Sequence, residues 1–217
     1  KYIGIDPAGN ISDPAIREPI YYDISPPIYT QIYPIVGSHV NNPRLSFIVS
    51  EDLAAGEFTW AYREGLKDTS APHIITLTAN ERKGDTRTNW TLKNQSELSD
   101  GTVYDLIFIG QDLAGNQTGF LTTPDITYDI TLPVFTILDP IDGAYANYLS
   151  LSYEISEPLI EGSVTWTALN STKDSDSPRV ISMELDEMIE GVTTNIILNN
   201  MTSLVDSLTY SIQMQGS

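Results

Sequence analysis

Two parts of this sequence repeat one another at a fixed distance. Asp6-Pro7-Ala8-Gly9-Asn10 returns as Asp112-Leu113-Ala114-Gly115-Asn116, which sets an offset of 106 residues (112 − 6). Without a gap, the same offset carries Tyr22-Asp23-Ile24 onto Tyr128-Asp129-Ile130, Ser50-Glu51 onto Ser156-Glu157 and Thr59-Trp60 onto Thr165-Trp166. Leu98, Asp100 and Tyr104 likewise return as Leu204, Asp206 and Tyr210. Such a period exceeds the roughly 20–45 residues of a solenoid unit and is the size of one small domain. The chain therefore reads as a tandem array seen out of phase. Residues 1–21 correspond to 107–127 and are expected to supply the terminal strands of a preceding repeat. Residues 22–127 form one complete repeat, and 128–217 form a repeat that stops where the first reaches residue 111 and lacks its last strand.

Comparing the two copies separates core from surface, because core positions stay apolar while surface positions drift. Arg44 to Ser50 and Ser150 to Ser156 share apolar residues at every second place, the period of a strand, so Leu45, Phe47 and Val49 are expected to face inward. Phe58, Trp60 and Tyr62 match Val164, Trp166 and Ala168; Tyr104, Leu106 and Phe108 match Tyr210, Ile212 and Met214. Only Leu185 to Gly191 has an arguable helical period. Strands are expected near 28–33, 44–50, 57–63, 73–78, 87–93, 102–110 and 119–128, separated by Gly, Pro, Asn and Asp. Seven strands per repeat, a Trp on the third and Leu98-Ser-Asp-Gly-Thr-Val-Tyr104 in the manner of a tyrosine corner predict an all-β fold of tandem immunoglobulin-like sandwiches.

Ser-Glu-x-Leu-x-x-Gly (Ser50 to Gly56, Ser156 to Gly162) and Asp-x-Ala-Gly-Asn (Asp6 to Asn10, Asp112 to Asn116) resemble the bacterial Ig-like repeats of large surface and secreted proteins. The resemblance spans essentially the whole chain. It implies an extracellular or cell-surface adhesin stalk, spacer or filament subunit, commonly stiffened by calcium, and implies no particular ligand.

The recurring polar residues have two readings. A hairpin turn accounts for Asp-x-Ala-Gly-Asn by itself, since Gly tolerates positive φ and Asp and Asn side chains bond turn amides. A calcium reading adds that hard cations take six to eight oxygen ligands. In an immunoglobulin-like topology Asp23, Glu51, Asp112 and Asn116 gather at one end of the first repeat. Asp129 and Glu157 are expected at the junction with the second, with their sixth-strand partners beyond residue 217. Asp6 and Asn10 supply the corresponding turn to a neighbouring repeat. Asp68 and Asp174, with Lys67 and Lys173, read as solubilising loop residues, and His39 and His73 receive no function.

Composition narrows the function classes. With 29 acidic against 11 basic residues the net charge is −18, which disfavours nucleic acid and anionic lipid as partners. No apolar run approaches the roughly 20 residues of a membrane helix, so no membrane insertion is expected of this segment. The chain opens at Lys1 without Met or a leader pattern and reads as part of something longer. Absent cysteine and two scattered histidines remove most catalytic and zinc chemistries, and no enzyme is expected. Asn-x-Ser/Thr sequons stand at Asn10, Asn89, Asn94, Asn116, Asn170 and Asn200. The short, proline-containing connection Asp129 to Pro133 predicts a two-domain rod. Head-to-tail continuity is expected, with residues 11–21 lying against the strand near 208–216 of a neighbour. The competing function is a carbohydrate-binding or accessory module of a secreted enzyme, which calls for a row of exposed aromatics. Trp90 is replaced by Ile196, so no such row recurs between the copies.

Overall fold

The computed structural model describes residues 3–169 and 173–217, an all-β chain that divides into two compact units, Lys1–Ile130 and Thr131–Ser217. The sequon at Asn170 lies outside the described residues. Unit 1 contains β1 (Tyr29–Tyr33), β2 (His39–Val40), β3 (Leu45–Val49), β4 (Leu53–Gly65), β5 (His73–Thr76), β6 (Asp85–Trp90), β7 (Thr102–Asp112) and β8 (Leu121–Tyr128). The seven strands expected from the repeat all form, with ends shifted by a few residues. The two-residue β2 was not legible in the sequence, because it exists only through its parallel pairing with β8.

The strands of unit 1 make two sheets, β1-β3-β6 and β2-β8-β7-β4-β5, which face each other across one core. β7 alternates buried and half-buried residues along its whole length, the pattern of a central strand with one face inward. β3 contributes Leu45, Phe47 and Val49 to the core, β4 contributes Phe58 and Trp60, and β7 contributes Leu106 and Phe108. Tyr29 stacks on Phe108 with ring centroids 4.1 Å apart, and Trp60 meets Tyr104 edge-on at 6.0 Å. Each such aromatic contributes on the order of 2–3 kcal/mol through burial. Tyr62 departs from the expected inward series: it stands in register opposite Tyr104 but is exposed, lying where the covered part of β4 ends.

Unit 2 repeats the plan with β9 (Phe135–Asp139), β10 (Leu151–Ile155), β11 (Gly162–Ala168), β12 (Arg179–Ser182), β13 (Gly191–Ile196) and β14 (Tyr210–Gly216). Its sheets are β13-β10-β9 and β12-β11-β14, closing on Leu151, Tyr153, Val164, Trp166 and Ile181. The arguable helix near residue 185 is one 3-10 turn, Leu185–Glu187.

Two acids read as solvated are buried. Asp68 and Asp174 are 6% and 4% exposed. Tyr104 donates its hydroxyl hydrogen to Asp68 Oδ2 at 2.6 Å and accepts from the Ser99 amide at 2.9 Å. Tyr210 does the same with Asp174 (2.6 Å) and the Val205 amide (3.0 Å). The sixth strand's tyrosine thus carries its polar tip into the core, and a carboxylate 36 residues earlier accepts it. His73 completes the first copy, its Nε2 2.5 Å from Asp68, and Arg179 takes that position in the second at 2.7 Å from Asp174. Sequence comparison placed these residues in register but could not see that the loop folds inward.

Burial works against the charge of Asp68, yet the bonds from Tyr104, His73 and the Ser70 amide outweigh it and hold its pKa below the ordinary carboxylate value. A carboxylate with a lowered folded pKa contributes stability that is fully present above about pH 4 and is lost as pH falls toward the folded value. Asp68→Asn should therefore flatten the acid limb of the stability profile of unit 1. Tyr104→Phe should lower its stability by about 1–3 kcal/mol, by leaving a buried acceptor short of a donor. Urea unfolding followed by hydrogen exchange in β7 measures both.

Candidate metal centre

One end of unit 1 gathers acids from three separate stretches of chain. Asp23 precedes β1, Glu51 lies in the turn between β3 and β4, and Asp112 is the last residue of β7. Antiparallel pairing of β4 with β7 sets Leu53 opposite Asp112 and so brings the β3–β4 turn beside the end of β7. One carboxylate oxygen from each of Asp23, Glu51 and Asp112 lies within 4.8 Å of the others. Asp23 and Glu51 line an open depression together with Tyr21, Asp52, Leu113 and Ala114.

Asn116 holds the arrangement together. Its side-chain Nδ2 donates to the Asp23 carbonyl at 3.2 Å and to Asp112 Oδ2 at 2.8 Å. Asp112 Oδ1 accepts from the Ala114 and Asn116 amides, both at 2.8 Å, so the turn reading of Asp-x-Ala-Gly-Asn is met in full. Gly115 sits at φ +97°, a region open to glycine. Asp112 belongs both to the turn and to the acidic cluster, so the two readings are compatible.

The electrostatics differ among the three acids. Burial and the neighbouring charges of Asp23 and Asp112 push the Glu51 carboxyl above its ordinary value. Asp112 goes the other way: burial opposes its charge, but the Asn116 side chain and the turn amides hold its pKa down. Asp52, next in line, is neutralised by Lys83, whose Nζ is 2.5 Å from Oδ2. Glu51 therefore faces two carboxylates without a cation of its own among its described contacts.

The donor set fits a hard cation. It offers carboxylate oxygen and neither imidazole nor thiolate, and oxygens sharing one calcium at about 2.3–2.6 Å stand at most about 5 Å apart. Asp23, Glu51 and Asp112 would hold the ion, with Asn116 fixing Asp112 and the Asp23 backbone.

The remaining residues singled out in the sequence stand elsewhere. Asp6 and Asn10 form a turn of their own, with Asp6 Oδ1 accepting from the Ala8 and Asn10 amides at 2.9 and 2.8 Å. Asp129 follows β8 in unit 1, its amide donating to the Val40 carbonyl at 3.0 Å, and Glu157 follows β10 in unit 2. Among the described residues the trio is the only group of three acids or histidines placed to share an ion.

Sequence reading missed one recurring acid pair. Glu81, 4% exposed, accepts from the Thr78 amide at 2.8 Å and the Lys93 amide at 2.7 Å. Glu187, fully buried, accepts from the Glu184 and Asn199 amides at 2.7 and 3.0 Å. These carboxylates pin the loop after β5 or β12 to the segment after β6 or β13. The 106-residue offset that relates them was the available signal.

No family model and no curated protein sequence matches the chain.

A carboxyl whose pKa is raised on folding contributes stability that is lost as pH rises through the folded value, so at neutral pH charged Glu51 works against unit 1. Glu51→Gln in the presence of a chelator should raise the melting temperature of unit 1, where most surface substitutions change little. Differential scanning calorimetry at pH 7 reads the difference.

Proposed function

We propose that the chain is a structural tandem repeat of a long extracellular protein, serving as an adhesin stalk, spacer or filament subunit, and that its repeats are immunoglobulin-like sandwiches stiffened by calcium. The observation that carries this reading is the acidic trio at the end of a domain-sized unit that recurs along the chain. Like charges held this close are unfavourable alone and favourable around a divalent ion, so the ion's binding energy becomes folding energy. Trp60 and Trp166 are buried, which supports a spacer over a sugar-binding module, since neither presents a ring to a ligand. The all-β architecture supports no particular chemistry, and a fold by itself licenses no function. Partners on this reading are further repeats of the same kind.

Extracellular calcium modules bind with dissociation constants of roughly 10⁻⁴–10⁻³ M, so 10 mM calcium should stabilise unit 1 by about 1.4–2.7 kcal/mol relative to chelator. The Asp23→Asn and Glu51→Gln variants should lose that response. A melting curve that is the same in chelator and in 10 mM calcium removes the cation from the proposal.

A further inference from the structure

Asn-x-Ser/Thr is the minimal acceptor for transfer of an oligosaccharide to asparagine, and five of the six such sites fall within the described residues. The fold treats them differently. Asn116 donates its side-chain amide to Asp112 and to the Asp23 carbonyl, Asn10 donates to Asp6 at 2.8 Å, and Asn200 donates to Glu184 at 3.0 Å. The hydroxyls two places on are engaged too: Thr118 accepts from the Gly110 amide, Ser12 from the Gly4 amide and Thr202 from Arg179. Asn94 reaches the Thr76 carbonyl at 3.4 Å. The side-chain nitrogen is the nucleophile in such a transfer, so an amide committed to hydrogen bonds within the fold is a poor acceptor.

Asn89 is the exception. It is exposed, its side chain makes no hydrogen bond among the described residues, and Thr91 two places on is exposed as well. β6 is an outer strand of the sheet β1-β3-β6, so the site stands at an edge that none of the described strands covers. The ladder from β3 to β6 shifts register between Leu45 and Phe47, and Asn89 sits in that bulge at φ 51° with its backbone amide on the Ser46 hydroxyl at 2.9 Å.

The second copy separates what the backbone requires from what the site adds. Asn195 takes the same place in unit 2, at φ 53° with its amide on the Ser152 hydroxyl at 3.0 Å. Asparagine tolerates the left-handed region, so the bulge accounts for it in both copies. The bulge calls for neither Trp90 nor Thr91, whose counterparts are Ile196 and Ile197. Unit 1 thus adds a hydroxyl two residues after the exposed asparagine and an aromatic ring between them. Trp90 is 40% exposed, and the Arg87 guanidinium lies 5.4 Å from its ring centroid, which pins an apolar plate beside the asparagine.

We infer that Asn89 is an N-glycosylation site whose donor is a polyprenyl-diphosphate-linked oligosaccharide. Asn89 Nδ2 bonds the anomeric carbon, that carbon releases the lipid diphosphate, and the nitrogen gives up one proton. This rests on the extracellular reading of the chain, since such transfer acts on exported proteins. A sugar at this place sets a bulky, hydrated group on the open edge of β6, where a bare edge invites pairing with another chain. The Trp90 ring supplies a flat apolar face for the first sugar to rest on.

Tryptic cleavage after Arg87 and Lys93 isolates Thr88–Lys93, a peptide that holds this site alone. Fragmentation of that peptide, from protein purified out of the cells that make it, should place a hexose or N-acetylhexosamine on Asn89. The peptides carrying Asn10 and Asn116 should be bare. Thr91→Ile, which copies Ile197 of unit 2, should remove the sugar and leave the bulge intact, while Thr91→Ser should keep it. A bare Thr88–Lys93 peptide, equal occupancy at Asn116, or a sugar that survives Thr91→Ile overturns the inference. Cell fractionation reads the extracellular reading separately. An exported chain with a bare Asn89 rejects the glycan and leaves the structural-repeat reading standing, whereas a chain retained in the cytoplasm rejects both.

Discussion

β7 is hydrogen-bonded along both edges, to β4 and to β8, and most of the chemistry of unit 1 is fixed by that double pairing. Leu106 and Phe108 enter the core from it, Tyr104 carries its hydroxyl to Asp68, and Asp112 ends it at the acidic cluster. A strand ladder has period two, so a slip of one residue would turn Tyr104 and Phe108 outward together and move Asp112 off the cluster. The register is held by burial on one face and by the Asp112–Asn116 turn at the end.

Among the described residues, unit 2 displays the same strand with one edge unpaired. Its alternation survives in β14, but each inward residue is less covered than its counterpart in β7. The difference comes from the presence or absence of one neighbouring strand, since Tyr210 keeps its bonds to Asp174 and Val205. Local sequence supplies the strand and its polar anchor, while the adjoining strand supplies the burial.

The acidic end of unit 1 is a compromise between turn chemistry and charge. Asp112 is occupied by amides that keep it ionised, and Glu51 is the member whose charge is hardest to hold. That asymmetry follows from position: Asp112 sits in a turn that aims N–H groups at it, while Glu51 faces two carboxylates. The net charge of −18 gives no surplus of neighbouring bases to relieve it.

The sequence by itself determined the repeat, its period, the strands and their inward faces. These follow from short-range alternation, and comparing two copies removes much of the noise. It also brought Asp23, Glu51 and Asp112 together in expectation, because loops at one end of an antiparallel unit share a surface. It could not tell that Asp68, Asp174, Glu81 and Glu187 are buried, since an acid's burial depends on donors supplied by other strands, such as Tyr104 for Asp68 and the Lys93 amide for Glu81. Nor could alternation within β4 reveal that Tyr62 is exposed, because its period runs on through Tyr62 and only the assembled unit shows where the covered part of the strand ends. Local patterning decides which face of a strand is apolar; only tertiary contact decides where that face ends and which charges it can shelter.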